Sequence, residues 1–532
     1  MAKIKIYFML VVCLLNLWAA QATFAENLNP KTHFPTHASL SDSLLTVIGS
    51  SKYQRSKFYE LFWGHHYRNI WTTPIRVPLL DLSREEGGLK PISKGGSFQT
   101  LNLRLVNPEG KEYVIRSIDK DPSKALPEKL RKTFVADLMR DQTSVIHPYG
   151  ALIIPVLAEA AGVYHTNPKL VVVPDSPLLG EFRQEFAGML ALLEERPEAD
   201  QSEVASFGNS GNIISSRKAL NKLVSNTCTQ IDSRQFLKCR LFDMWVGDWS
   251  RREDQWRWAT FSQGTRTILK PIPRDRDHAF FKFNDGILTW IGSKIKTSYQ
   301  TFDKRIRQVE GLTQSARPLD TSLLSYLNKE DFKEIADSLQ QSLTDEVIIK
   351  ATHTWPAEIY ALSGAEFEAK LKSRRDQLPA IADKFYKILA QQVIIAGTDK
   401  AERFVVERLN KRQTKISVIG LDDNCGAQKI GERIFTTSET KSIQLYGLGG
   451  DDIFEIAGDV SRGINIYLYD GAGEDTFRDE SAVKSLKRKI WIYDSGDGNN
   501  IKAGRRTKVV KHYKPQAEEF NGDGWLLRYR LH

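Results

Sequence analysis

GDWSRREDQW, residues 247–256, and PIPRDRDHAF, residues 271–280, crowd nine charged side chains into two short segments. The first holds Asp248, Arg251, Arg252, Glu253 and Asp254, and the second Arg274, Asp275, Arg276 and Asp277. Their signs alternate, and Trp, Phe and Pro bound them. Charges that only keep a surface soluble are spread over it. Charges set among aromatic residues have two readings: the wall of a polar cleft, or a buried ion-pair network that ties loops to a core.

The flanking sequence supplies elements in an order that suits phosphoryl transfer. That chemistry needs a cradle for phosphates, a cation to pair with them, carboxylates for a divalent ion, and a group that positions the acceptor. SKGGSF (93–98) offers Gly95 and Gly96, where backbone N–H groups can approach phosphate oxygens. Residues 100–106 and 113–118 are β-type runs joined by Asn107-Pro108-Glu109-Gly110, which predicts a hairpin. The second run leads through Arg116 to Lys120, either of which can reach α- or β-phosphates. LALLEERP (190–197) reads as an apolar strand entering a charged turn, as an inter-lobe hinge does. A helix is expected over 148–161, stopped by Gly162, with a strand at 170–173. From 215 to 397 the pattern is mostly helical: Leu237, Leu241, Met244 and Trp245 share one face, and Gly247 supplies a stop.

Composition bounds these readings. The 532 residues are 41% hydrophobic and 26% charged, which excludes a disordered chain and leaves room for two or three domains. A net charge of +10 spread along the chain suits phosphorylated ligands or anionic surfaces and gives no nucleic-acid stripe. Lys3 and Lys5, an apolar run at 6–20 and then Thr23-Phe24-Ala25 predict a signal peptide over 1–25. The expected product is exported, periplasmic or extracellular, with no transmembrane segment after cleavage. Cys228 with Cys239 would close a short disulfide loop and leave Cys425 free, while two reduced, buried cysteines are the competing reading. His65 and His66 are adjacent, so on a helix they point apart; they are read as packing or surface residues.

The order GDWxRxxDQW followed by IPxDxDxAF resembles the catalytic and metal-binding loops of secreted atypical kinases of the spore-coat CotH type and, more distantly, of HipA and the secretory-pathway kinases. FWGHHYRNIWTTPI, RSIDKDPSKALPEKLR, HPYGALIIPVLAEAAGVYHTNP and RLFDMWVGDW are similar to a region of large bacterial envelope proteins, some of which carry a calcineurin-like metallophosphoesterase domain. The resemblance implies ATP with Mg²⁺ or Mn²⁺, and an unknown acceptor. It implies that Asp277, with Asp275 beside it, and Gln255 hold the metal, and that Lys120 or Arg116, with the Gly95-Gly96 turn, holds the nucleotide. Where those kinases place an acceptor-orienting aspartate this chain has Ser250, with Arg252 at the neighbouring histidine position. Asp248 and Asp254 are the carboxylates that could substitute as catalytic groups. No dinuclear phosphoesterase pattern of spaced Asp, His and Asn is present.

The tail carries a repeat. YGLGGDDIF (446–454), YDGAGEDTF (469–477) and YDSGDGNNI (493–501) align without gaps at spacings of 23 and 24 residues, each after an alternating strand. That period predicts one coil of a β-solenoid per repeat. Residues 471–477 also match the core of calcium-binding nonapeptide repeats, which makes Asp475 a candidate Ca²⁺ ligand; Gly and Asp suit such turns with no ion as well. The expected fold is α+β: a bilobal atypical-kinase-like core followed by a C-terminal all-β solenoid. Its divisions are a signal peptide (1–25), an N-terminal segment packing on the core (26–90), a β-rich N-lobe (91–200), a helical C-lobe with the carboxylate loops (201–397) and the tail (398–532). Two functions follow, a metal-dependent phosphotransferase or a non-catalytic envelope scaffold with cell-envelope partners.

Overall fold

The computed structural model describes residues 44–529, apart from 96–99, 277, 422–425, 486 and 497. The proposed signal peptide, Gly96, Asp277 and Cys425 therefore lie outside the described residues.

The chain is a mixed α/β fold of several sheets and a helical body. The first sheet has five strands in the order Lys90–Gly95, Asn102–Val106, Glu112–Ser117, Leu190–Glu195, Lys169–Val172, all antiparallel. Alternation of apolar and polar residues turns Leu103, Leu105, Tyr113 and Ile115 into one small core. The predicted hairpin is its centre: Gly110 takes φ +81°, and Asn107 Oδ1 accepts from the Glu109 and Lys111 N–H groups to close the turn. Between the third and fourth strands in chain order comes the helix Ile154–Ala161, ended by Gly162 in the left-handed region. The stretch Phe134–Ala161 is long and apolar enough by length and composition to cross a membrane, but most of it is buried inside the fold and 3₁₀ turns at Gln142–Val145 and Gly150–Ile153 interrupt it.

Residues 201–397 are less purely helical than the sequence predicts. The helices Ser233–Val246, Lys329–Ser342, Ala357–Arg375 and Leu378–Ala390 surround the largest core. Set into them is a four-stranded sheet whose middle is the hairpin Trp256–Gln263 with Arg266–Pro273. The aromatic and aliphatic run of that hairpin has no clear period, because both its faces are covered and tertiary packing decides its state. The register pairs Trp256 with Pro273, and the Arg274 N–H donates to the Gln255 carbonyl at 2.8 Å, so the two charged segments leave the hairpin side by side.

The tail begins at Gln392–Ala396, directly after the last long helix, and holds two facing sheets around one core. In one sheet Gln392–Ala396, Ser442–Gly449, Asn465–Ala472, Ile490–Tyr493 and Thr507–Val510 are all parallel. In the other an antiparallel edge, Gln428–Thr436 to Glu402–Arg408, is extended by three parallel strands. Equivalent residues of successive repeats are register partners, as with Ile443, Ile466 and Ile490. Their rings stack at the strand spacing, Phe454 on Phe477 at 4.7 Å and Tyr469 on Tyr493 at 4.6 Å.

The short-loop disulfide is corrected. Cys228 is disulfide-bonded, but Cys239 is a free thiol. It sits on Ser233–Val246, a helix buried nearly all round, with no exposure.

Candidate functional site

The helix Ser233–Val246 ends at Gly247, φ +78°, whose freedom from a Cβ lets the chain reverse into the first charged segment. Most of that segment's charge goes inward. Arg251 donates to Asp243 from Nε (3.0 Å) and Nη2 (3.1 Å), and to Asp248 from Nη2 (2.6 Å). Arg276, from the second segment, donates to Asp243 at 3.3 Å. Arg240 reaches both Asp243 (3.2 Å) and Asp320 (2.8 Å). Three arginines and three aspartates thus form a buried, electrically balanced cluster, which is how such charges escape the desolvation penalty. Asp248 belongs to it wholly. Burial lifts its carboxyl above the usual carboxylate range while Arg251 opposes the rise, and Oδ1 accepts from the Ser250 N–H at 3.1 Å.

Asp254 is placed differently. It is exposed and forms a bidentate pair with Arg252, at 2.9 and 3.0 Å. Gln255 is buried, and its side-chain oxygen accepts from the Arg252 N–H at 3.0 Å.

The second segment turns toward the five-stranded sheet. Asp275, at φ +52°, contacts Arg116, which also donates to Glu194 at 2.8 Å on the adjoining strand. The pair Arg116–Asp275 therefore bridges the sheet and the helical body. Behind it lies a cavity of about 30 Å³, lined by Arg116, Lys120, His147 and Arg276 among others. That is room for a water or two. Two of the lining side chains are deeply buried and each leaves a nitrogen without a hydrogen-bond partner among the described residues: Arg276 Nη2 and His147 Nε2. Burial holds His147 down at about 3, so at neutral pH its ring is uncharged and stacks on Trp355 at 4.6 Å. The Nδ1 of His147 accepts from the Tyr149 N–H at 3.2 Å, which leaves Nε2 as the nitrogen carrying the proton and able to donate.

The structure thus brings Arg116, Lys120 and Asp275 together and joins Asp248 to them through Arg251, Asp243 and Arg276. Gly95 closes the strand Lys90–Gly95 opposite Asn102 and does not line the cavity. Asp475 stands apart in the tail, buried, with one oxygen accepting from the Asp452 N–H at 2.8 Å and the other without a partner among the described residues. The sequence reading missed His147 and the partners Arg240, Asp243 and Asp320. The signal for Arg240 and Asp243 is present in RLFDMW: opposite charges three residues apart in a run otherwise apolar.

No family model matches the chain, and no curated protein matches it in sequence. Several solved structures are similar to it, among them the two that follow. One is the Helicobacter pylori proinflammatory kinase CtkA, at 11% identity and a TM-score of 0.33, covering 59% of this chain and all of that one. The other is the amicoumacin kinase hAmiN in complex with AMP-PNP, Ca²⁺ and Ami, at 12% identity and a TM-score of 0.16, covering 58% of this chain and 94% of that one.

Proposed function

We propose that the chain is a kinase-like protein that binds a nucleoside triphosphate between its five-stranded sheet and its helical body. The observation that carries this reading is the cavity behind the Arg116–Asp275 bridge. Arg116, Lys120 and Arg276 line it with cationic donors, Thr100 and Ser117 add hydroxyls, and two buried nitrogens, Arg276 Nη2 and His147 Nε2, have no acceptor among the described residues. Buried donors left unsatisfied are costly, and an anionic oxygen would satisfy them. Phosphate oxygens meet that requirement, with Arg116 moving off Asp275 to admit them. The donor set fits a phosphate.

Among the described residues no group of three or more His, Cys, Asp or Glu could hold a metal ion by itself. Mg²⁺ or Mn²⁺ would come with the nucleotide, held by Asp275 and Asp277, and would neutralise phosphate charge. The rest of the reading keeps to the sequence: an exported protein, supported by the leader and by the disulfide at Cys228, with a β-solenoid tail, supported by parallel strands in register at the repeat spacing.

Whether the site transfers phosphate is a second matter, and the buried Asp248 favours binding without transfer. Its carboxylate is engaged by Arg251, and Ser250 offers only a neutral hydroxyl to orient an acceptor. Thermal melts with and without ATP and Mg²⁺ or Mn²⁺ test the binding. Saturation at a hundredfold excess over Kd stabilises by about 2.7 kcal/mol, and Lys120→Met and Asp277→Asn should each remove most of that gain. Identical melts with ATP, ADP and inorganic phosphate would sink the proposal. Labelled-phosphate transfer by the wild type, with Asp248→Asn as control, separates an enzyme from a binding scaffold.

A further inference from the structure

The helix Ile287–Ile295 is built inside out. Its solvent side carries Ile287, Trp290, Ile291 and Ile295, which are 46, 51, 39 and 68% exposed. These positions repeat at intervals of three and four, the spacing that normally marks the buried stripe of a helix. Its inner side is small instead: Thr289 is buried, and Gly292 faces the Phe283 ring. The short helix Lys57–Trp63 packs against it and adds Phe58 and Leu61, 55 and 56% exposed. The two helices are pinned where the N-cap Gly286 meets the C-cap Gly64, so closely that a Cβ on Gly286 would lie 2.2 Å from the Gly64 nitrogen. The six apolar side chains are therefore held out by rigid elements, and apolar exposure concentrated in this way marks an interaction surface.

The charges beside this face are mostly basic. Residues 282–307 hold six Lys and Arg against two Asp, Asp285 and Asp303. The acids near the face are engaged within the protein: Asp285 with His66 at 2.6 Å, and Glu60 with His65 at 2.8 Å. Lys57, Lys294 and Lys296 are exposed. Lys294 lies 5.2 Å over the Trp290 ring, and Lys296 4.1 Å over Tyr299, both within the apolar margin.

We propose that this face seats the protein on an anionic lipid bilayer, with the helix Ile287–Ile295 in the plane of the interface and its lysines at the head groups. An isoleucine stripe with one Trp and flanking lysines is the composition of an interfacial helix, where apolar burial and attraction to anionic lipid add. An uncharged protein partner would need the apolar stripe but gives no reason for the excess of lysines around it.

Sedimentation with vesicles tests the idea, using the chain from residue 26 onward in every variant so that the apolar run of the proposed leader adds no lipid binding of its own. Wild type should pellet with vesicles of mixed phosphatidylcholine and phosphatidylglycerol and much less with phosphatidylcholine alone. Trp290→Ser with Ile291→Ser should weaken binding by about tenfold or more, and the single change Ile295→Ser should weaken it in the same direction. Lys294→Glu with Lys296→Glu should erase the preference for the anionic lipid. All these residues are exposed, so the melting temperature should hold. Equal pelleting of wild type and the Trp290 variant would overturn the proposal. So would a wild-type dimer that the same variant dissociates, since the occupant would then be a second copy of the chain.

Discussion

Arg251 and Asp243 meet through two hydrogen bonds, of 3.0 and 3.1 Å, with no part of either side chain reaching solvent. The pair joins the end of a core helix to the first charged segment, and Arg276 fastens the second segment to the same carboxylate. Removing Arg251 would strand the charge of Asp243 and Asp248 in the interior. Arg251→Ala should cost roughly 3–5 kcal/mol, the usual loss when one member of a buried pair is deleted. Chemical denaturation of the two proteins measures it. A loss below about 1 kcal/mol, the worth of a surface pair, would mean that the cluster is wet.

Burial, the main cause, raises Asp475 to about 7 and lifts Asp452 well above the carboxylate range, with nearby carboxylates adding to both. The sign follows from the direction. A carboxyl whose folded pKa is raised contributes stability that is fully present below its unfolded value near 4 and is lost as the pH climbs to about 7. The tail should therefore melt at a higher temperature at pH 5 than at pH 8. Asn499 already fills the equivalent place in the next repeat, where its Oδ1 accepts from the Asp475 N–H at 2.7 Å. Asp475→Asn should keep the hydrogen bond to Asp452 and flatten the pH dependence by up to about 3 kcal/mol. Calcium is an arm of the same experiment: a melt raised by Ca²⁺ in wild type and unmoved in Asp475→Asn would make this carboxylate a ligand.

Gly471 takes φ +108°, and a Cβ there would lie 2.2 Å from the Leu448 carbonyl oxygen of the preceding repeat. Gly471→Ala combines a forbidden backbone angle with a clash between strands. A loss of roughly 2–4 kcal/mol is expected, read as earlier melting or as new proteolysis within the tail. Gly264 is the control, also at positive φ but with nothing within 4 Å of where a Cβ would stand; its replacement by Ala should cost only about 1 kcal/mol.

Burial pushes the Cys239 thiol up to about 12. The folded protein should leave Cys239 unmodified by a thiol reagent at pH 8, and denaturation without reductant should expose it. Rapid labelling of Cys239 in the native state, located by peptide mapping, would contradict its place in the core helix.

Local chemistry made much of this fold legible. The hairpin at Asn107-Pro108-Glu109-Gly110 announces itself because Asn, Pro and Gly each fix a torsion or cap a turn over a few residues. Gly162 and Gly247 stop helices for the same reason. The hairpin Trp256–Gln263 with Arg266–Pro273 was hidden because packing on both faces removes the alternation that identifies a strand. The site divides along the same line. Sequence order placed Arg116, Lys120 and Asp275 on one problem, and the fold puts the first and last in contact and the second beside them. Asp248 reads in the sequence as a carboxylate that could substitute in catalysis, yet Arg251 ties it to Asp243, and the cluster reaches on through Arg240 to Asp320, 80 residues further along the chain. The local pattern shows Arg240 with Asp243, and only the fold adds Asp320 to balance them.

A stack of parallel strands is a template that has to be stopped at both ends. At one end the tail's first strand, Gln392–Ala396, is contacted by the helices Arg317–Leu323 and Leu378–Ala390, so its outer margin is covered by the helical body. At the other, Thr507–Val510 ends the sheet, and Arg505, Lys508 and Lys511 stand exposed on and around it. Two copies approaching through that margin would bring cation against cation before any backbone hydrogen bond could form. Both edges of that sheet are thus guarded against pairing with another copy, by a plug of helices on one side and by repulsion on the other.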